Sequence, residues 1–291
     1  MNEQSRRVDP GSRCSPTWPS ASSPVVGVIG DPIAHSRSPL LHQAAFDALG
    51  LDWVSVAFRV APEALKAALD GMRAFDIRGL SVTMPHKEAA ARLVDALTPV
   101  AAQLGAVNCI TAREGTLVGD STDGAGFLRA LDRDTGFAPA GRRCLVLGAG
   151  GAARAVIFAL AEAGASEVVV VNRDAQRALQ AAGLAGTRGR VGHAEEMAEA
   201  ELIVQATPQG MAGTAGEGQL ALDPQFLHPG QIVADLVYHP RITSTLAAAQ
   251  ERGATPIGGL GMLVHQAALA LEQWTGRSVP VEALSSVVAE A

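Results

Sequence analysis

One lysine in this chain is placed to move a proton. Lysine and arginine total 23, yet only Lys66 and Lys87 are lysine. An ammonium can give up its proton when desolvated and a guanidinium cannot, so a lysine in an arginine-rich chain asks for a reason. Lys66 lies on a polar helix face and reads as solvated. Lys87 sits where a strand, Gly79 to Thr83, breaks at Met84-Pro85-His86 and a helix begins. The helix dipole disfavours a cation in the first turn, which moves its pKa down toward the range a general acid or base needs. Thr83 ends the same strand. Ser36 and Ser38 follow another buried run, Val25 to Ile29, in a loop whose two hydroxyls suit a polyhydroxylated or carboxylate ligand. Ser38 before Pro39 is also a natural helix N-cap. Asp123 lies in the run Gly119 to Phe127, where Ser121, Thr122 or Asp123 could cap a helix reaching Leu131.

A second chemistry is carried by Cys144 to Arg154. A strand of Leu145 to Leu147 feeds a tight turn at Gly148, Gly150 lets backbone approach a ligand, and a helix opens near Gly151. Ala153 completes a GxGxxA pattern, with Ala149 and Ala152 between. Such a turn offers free amides and the positive end of a helix dipole to a pyrophosphate. Ala155, Val156, Ala159 and Leu160 keep helical spacing, Gly164 can end the helix, and Val168 to Val171 is an unbroken apolar run of the kind parallel sheets bury on both faces. About two dozen residues after the first glycine, NAD sites place an acid on the ribose 2′-hydroxyl. Here Asn172 and Arg173 stand there, and a guanidinium suits a 2′-phosphate, so the site leans toward NADP. Asp174 opposes that phosphate unless it turns outward or caps the next helix; Arg177, one turn on, can restore the balance.

The elements that must hold these groups alternate as an α/β chain. Trp53 to Phe58 reads as a strand and Pro62 to Met72 as a helix. Gly105 to Thr111 reads as a turn into a strand with a hairpin partner at Leu117 to Gly119. The glycine- and proline-bearing stretch from Arg133 to Arg143 marks a domain boundary. Glu201 to Gln205 and Ile232 to Asp235 are further buried strands. The small, polar loop Ala212 to Gln219 could close over a cofactor. Tyr238, the only tyrosine, follows the second of those strands, and a helix starts from Thr243. Gly258 to Gly261 reads as a flexible turn before the amphipathic helix Met262 to Trp274. Gln266 lies among apolar neighbours there, so its amide either satisfies buried backbone or meets a ligand.

With 291 residues, 48% hydrophobic, the chain can build two domains. A net charge of -6 without charged blocks argues against nucleic acid, and no apolar run reaches membrane-spanning length. Residues 1–23 are rich in Ser, Pro and Arg, lack the apolar core of a secretory signal, and read as a disordered tail or a mis-assigned start. Cys14, Cys109 and Cys144 are odd in number and scattered, which fits a reducing cytoplasm and gives no metal-ligand spacing.

Nine segments, GDPIAHSRSP, SVTMPHK, GAVNCI, GDSTDGAGF, GAGGAAR, NR, ATPQGM, DLVYHP and GMLVHQA, stand in one order from about Val25 to the C-terminal end. In them the chain resembles the shikimate 5-dehydrogenase (shikimate/quinate dehydrogenase) family. The resemblance implies an N-terminal α/β substrate-binding domain, residues 24–123 with 260–291, and a Rossmann-type NADP-binding domain, residues 124–259. It implies NADPH-dependent reversible reduction of 3-dehydroshikimate to shikimate by a cytoplasmic monomer or homodimer. Carried over position by position, Ser36, Ser38, Thr83, Lys87, Asn108, Asp123, Tyr238 and Gln266 match substrate contacts, and Lys87 with Asp123 the catalytic pair. Gly148 to Ala152, Asn172, Arg173, Arg177, Leu236 and Gly259 match cofactor contacts. The chain departs from the family at Ser81, Ser121 and Gln205, where Asn is common, at Asp174, where Thr is common, and at Pro99, which replaces an acidic residue. A quinate or aminoshikimate dehydrogenase using NAD is therefore an alternative within the class. A catalytically silent shikimate-binding paralogue and a folate dehydrogenase of related architecture stand outside it.

Overall fold

The computed structural model describes residues 19–290. Cys14, Ala291 and most of the segment read as a tail lie outside them. Ser20 to Ser23 form a turn in which Ser23 Oγ donates to Asp52 Oδ2 at 2.8 Å.

In chain order the first half runs β1 (Val25–Gly30), α1 (Ser38–Leu49), β2 (Val54–Arg59), α2 (Leu65–Ala74), β3 (Gly79–Val82), α3 (Lys87–Ala91), β4 (Ala96–Leu97), α4 (Pro99–Leu104), β5 (Cys109–Arg113) and β6 (Thr116–Asp120). These strands make one mixed sheet in the order β2-β1-β3-β5-β6-β4. β1 is parallel to β2 and β3, with Ile29 opposite Val82, so the chain leaves both inner strands on the same edge. The hairpin of β5 and β6 turns through Glu114 and Gly115, both at positive φ, which matches the twist of the strands it joins.

α5 (Asp123–Thr135) then leads into β7 (Arg143–Leu147), α6 (Gly151–Glu162), β8 (Glu167–Val171), α7 (Ala175–Gly183), β9 (Gly189–Val191), β10 (Leu202–Gln205), β11 (Ile232–Asp235), α8 (Ser244–Glu251) and β12 (Thr255–Gly258). All six strands are parallel, in the order β12-β11-β10-β7-β8-β9. Numbered from its own first strand this is 3-2-1-4-5-6, the Rossmann order, with the crevice between β7 and β10 where the winding reverses. Val146, Val168, Val170 and Val204 face α5, α6 and α7, while Leu145, Val169, Ile203 and Val233 face the opposite layer. That is why the middles of these strands are unbroken apolar runs, with the polar residues Arg143, Glu167, Gln205 and Asp235 confined to their ends.

α9 (Leu260–Thr275) and α10 (Val281–Glu290) return to the first sheet. Val264, Leu271 and Trp274 of α9 and Leu284 of α10 share a core with Leu41, Phe46 and Val26, while Leu65, Leu69, Met72 and Ile110 fill the other face. α5 packs on both halves. A Cβ at Gly124 would stand 2.6 Å from the Ala155 carbonyl oxygen of α6, and one at Gly126 2.7 Å from the Gln266 amide nitrogen of α9. Glycine at these positions gives up helix propensity, at most about 1 kcal/mol each. In return α5 sits close enough to both helices to set Asp123 between them.

Several boundaries differ from expectation. Pro62–Ala64 is a 3₁₀ turn, and α2 proper starts at Leu65. Ser38 is the first residue of α1 rather than its cap; the N-cap position is Arg37, whose side chain makes no cap bond. Thr122 occupies the N-cap position of α5, likewise without a side-chain cap bond. The expected flexible turn at Gly258–Gly261 is ordered: Gly258 pairs with Asp235 in β12, Gly259 is the N-cap and α9 has begun by Leu260. Among the described residues no helix is long and apolar enough to cross a membrane.

Candidate active site

Lys87 opens α3 with its backbone carbonyl accepting from Val107 N at 2.9 Å. Its Nζ donates to Asp123 Oδ2 at 2.5 Å, with side-chain exposures of 18% and 6%. α3 has only five residues, so the field at Nζ is set by that carboxylate rather than by the helix dipole invoked from sequence. Asp123 is itself the first residue of α5, where free amides face a negative charge.

The other oxygen, Oδ1, accepts from Asn108 Nδ2 at 2.8 Å. The Asn108 amide spreads its two N–H bonds over three oxygens, reaching Thr122 Oγ1 at 2.9 Å and Gln266 Oε1 at 3.2 Å as well. Its own Oδ1 accepts from Thr122 N at 2.8 Å, and Thr122 Oγ1 donates to the Gln266 carbonyl at 3.0 Å. Asn108, Thr122 and Gln266 thus clamp one side of Asp123 and leave the other to Lys87. Thr122 is the member that sequence reasoning passed over as a possible cap; its hydroxyl is spent on this network instead.

The remaining polar candidates follow the carboxyl ends of strands β1 and β3 in the first sheet and β11 in the second. Ser38 N donates to Ser36 Oγ at 3.3 Å, so it is the Ser36 hydroxyl that meets a free amide in the first turn of α1. Thr83 follows β3, its amide on Ile29 O at 3.0 Å. Tyr238 follows β11 and is half-buried; burial raises its phenol pKa, the Arg37 charge opposes, and it stays a neutral hydroxyl at physiological pH. Among the described residues the side chains of Ser36, Ser38, Thr83 and Tyr238 make no hydrogen bond to the Lys87–Asp123 cluster. That cluster joins Lys87, Asn108, Asp123 and Gln266 directly and does not include the other four.

The glycine turn meets Lys87 from the second sheet. Gly148 has φ +113, a conformation L side chains avoid, and a Cβ there would stand 3.1 Å from Ala206 O across the crevice. A Cβ at Gly151 would stand 3.1 Å from Lys87 Cδ. The lysine stem therefore lies on the N-terminus of α6, where Gly150, Gly151 and Ala152 begin the helix. Gln205, buried at the end of β10, accepts from Thr207 N at 2.6 Å and donates to the carbonyls of Thr207 and Gln209 at 3.0 Å, so it shapes the loop facing Gly148.

After β8, Asn172, Arg173, Asp174 and Arg177 line an open depression. Asp174 is the N-cap of α7, accepting from Gln176 N at 2.9 Å and Arg177 N at 3.0 Å. Its charge is taken up by the helix end, the second of the two arrangements in which it does not oppose a phosphate. Leu236 and Gly259 touch so closely that any Cβ on Gly259 would overlap the Leu236 carbonyl. A depression at the N-terminus of α7 lined by two arginines suits a phosphate. Pro99 lies away from this surface as the first residue of α4, whose cap Thr98 accepts from Ala101 N at 3.3 Å.

Comparison with known proteins matches three family models in sequence order: the shikimate dehydrogenase substrate binding domain over residues 28–110, shikimate / quinate 5-dehydrogenase over 134–210, and the shikimate 5′-dehydrogenase C-terminal domain over 259–287. A shikimate dehydrogenase (NADP(+)) of Moorella thermoacetica is 47% identical over 93% of this chain and 94% of its own length. The chain belongs to the shikimate dehydrogenase family. A second member, from Methanopyrus kandleri, is 46% identical over 93% of this chain and 96% of its own. The Thermus thermophilus shikimate 5-dehydrogenase, solved with NADP(H) and shikimate, superposes with a TM-score of 0.85 at 39% identity, covering 92% of this chain and 99% of that one.

Proposed function

We propose that this shikimate dehydrogenase reversibly reduces 3-dehydroshikimate to shikimate with NADPH, in aromatic biosynthesis, and that Lys87 and Asp123 are its acid–base pair. The observation that carries the reading is the 2.5 Å contact between Lys87 Nζ and Asp123 Oδ2, made beside the N-terminus of α6. NADPH, when bound, supplies the hydride that reaches the substrate ketone carbon. As negative charge grows on the ketone oxygen, the Lys87 ammonium stabilises it and delivers the proton. Asp123, held by Asn108, keeps that ammonium aimed and accepts its charge balance; in the oxidising direction the same pair removes the proton.

Ser36, Ser38, Thr83, Asn108, Tyr238 and Gln266 supply the hydroxyl and amide groups a polyhydroxylated acid needs. The Gly148–Ala152 turn would hold the pyrophosphate, and Asn172, Arg173 and Arg177 the adenosine 2′-phosphate. Leu236 and Gly259, in close contact with each other, would also contact the cofactor. We place the substrate domain at residues 24–123 with 260–291 and the cofactor domain at 124–259, with α5 packed between, and set the enzyme in the reducing cytoplasm, where NADPH is the reductant.

The test is a spectrophotometric panel of shikimate, quinate and aminoshikimate, each with NADP+ and NAD+. Turnover highest with shikimate and NADP+ supports the reading. A quinate or NAD+ optimum would reassign the substrate or cofactor, and no turnover with any combination would turn the chain into a silent binder.

A further inference from the structure

Arg177 is already engaged. Its guanidinium donates to Glu88 Oε1 at 3.3 Å, and the two side chains are 53% and 46% exposed. The pair joins residues 89 positions apart: Glu88 in the first turn of α3, directly after Lys87, and Arg177 in the first turn of α7. It therefore spans the opening between the two sheets. Of the two acids near that guanidinium, Asp174 is bound to the amides of α7, which leaves Glu88 as the carboxylate resting on Arg177. Arg173, one turn earlier, is exposed and pairs with no acid among the described residues.

The geometry points to Glu88 as a specificity-determining residue that competes with the cofactor 2′-phosphate for Arg177. This rests on the reading of Arg177 as a phosphate contact. A phosphate monoester carries about −1.5 to −2 charges near neutral pH and three acceptor oxygens, so it displaces a single carboxylate held at the surface. Displacement still costs NADP+ the Glu88 pair, whereas NAD+, with a bare 2′-hydroxyl, leaves the pair in place. Glu88 thus narrows the preference for NADP+ over NAD+. It also couples phosphate arrival at α7 to release of α3, the helix that starts with Lys87. An exposed pair of this type is worth at most about fivefold in an equilibrium, which sets the size of the effect.

The experiment titrates NADP+ and NAD+ into the full chain and the variants Glu88→Gln, Arg177→Gln and the double variant. Glu88→Gln should tighten NADP+ about two- to fivefold at low salt, leave NAD+ unchanged, and lose its effect at high salt. Arg177→Gln should weaken NADP+ selectively by tenfold or more, and Glu88→Gln should do nothing in that background. If Arg177→Gln is selective while Glu88→Gln changes neither cofactor, or changes both equally, the competition is refuted and the phosphate reading stands. If Arg177→Gln leaves the NADP+ to NAD+ ratio unchanged, the phosphate reading of Arg177 fails and takes the competition with it.

Discussion

Replacing Lys87 by alanine should damage turnover and stability by separable amounts. General acid catalysis contributes on the order of 10²- to 10⁴-fold, so kcat should fall at least a hundredfold, about 2.7 kcal/mol or more, with little change in the shikimate KM. The same substitution leaves Asp123, only 6% exposed, without its cation. Breaking one partner out of a buried pair costs about 3–5 kcal/mol; the retained Asn108 bond and the α5 amides place this case near 3. Two further variants separate the effects. Lys87→Arg keeps a cation against Asp123 but cannot release a proton, so stability should largely return while kcat stays low. Lys87→Ala combined with Asp123→Asn removes the orphaned charge, so the double variant should be more stable than Lys87→Ala alone and no slower than it by more than a few-fold, since the two groups act as one unit. Initial rates of NADP+ reduction and urea unfolding measure both quantities on the same samples. A Lys87→Ala enzyme within tenfold of normal kcat, or kcat losses that simply multiply in the double variant, would refute the shared proton-transfer role.

Three other outcomes are expected. Burial holds the His42 imidazole down at about 3, with Nδ1 against Ser55 Oγ at 2.8 Å and the ring edge-on to Trp274. A folded pKa below the unfolded one means the unfolded chain binds the extra proton, so this contribution is complete above about pH 6.5 and lost as pH falls toward 3, amounting to about 2 kcal/mol by pH 5. His42→Phe should remove that share of the acid sensitivity, read from urea midpoints at pH 7.5 and pH 5; an unchanged pH slope would clear His42. Gly148→Ala forces a Cβ into φ +113 and within 3.1 Å of Ala206 O. At roughly 1–2 kcal/mol of backbone strain plus that contact, NADP+ affinity should drop about tenfold or more while shikimate binding survives, as calorimetric titration of each ligand would show. Tyr238→Phe should raise the shikimate KM about five- to tenfold, the worth of one hydrogen bond, with kcat retained; steady-state kinetics that move only kcat would place the phenol in the chemical step.

Local signals were readable because their causes are local. The Gly148 turn, the apolar strands β7, β8, β10 and β11 and the Ser38-Pro39 helix start follow from dihedral preference and from burial on both faces, and each falls within a residue or two of its sequence reading, whereas the helix read from Pro62 opens with a 3₁₀ turn and α2 begins only at Leu65. The resemblance carried by nine motifs supplied the roles, and the family and architecture agree with it. Strands β4, β9 and β12 were not readable: two to four residues long, one containing Pro256, they exist because a neighbouring ladder offers them partners.

Composition and spacing determined that this chain would alternate strands and helices, carry a dinucleotide turn and present Lys87 at the end of a strand; the two α/β domains came from the family resemblance. Only the tertiary structure decided what that lysine faces. Its partner Asp123 lies 36 positions away, and Glu88 meets Arg177 across 89. Such pairings are fixed by strand order and by how closely Gly124 and Gly126 let α5 approach α6 and α9, distances that no periodicity in one segment encodes. His42 makes the same point from the core: a polar residue on an apolar helix face reads alike whether it is wet or dry, and its surroundings alone made it dry.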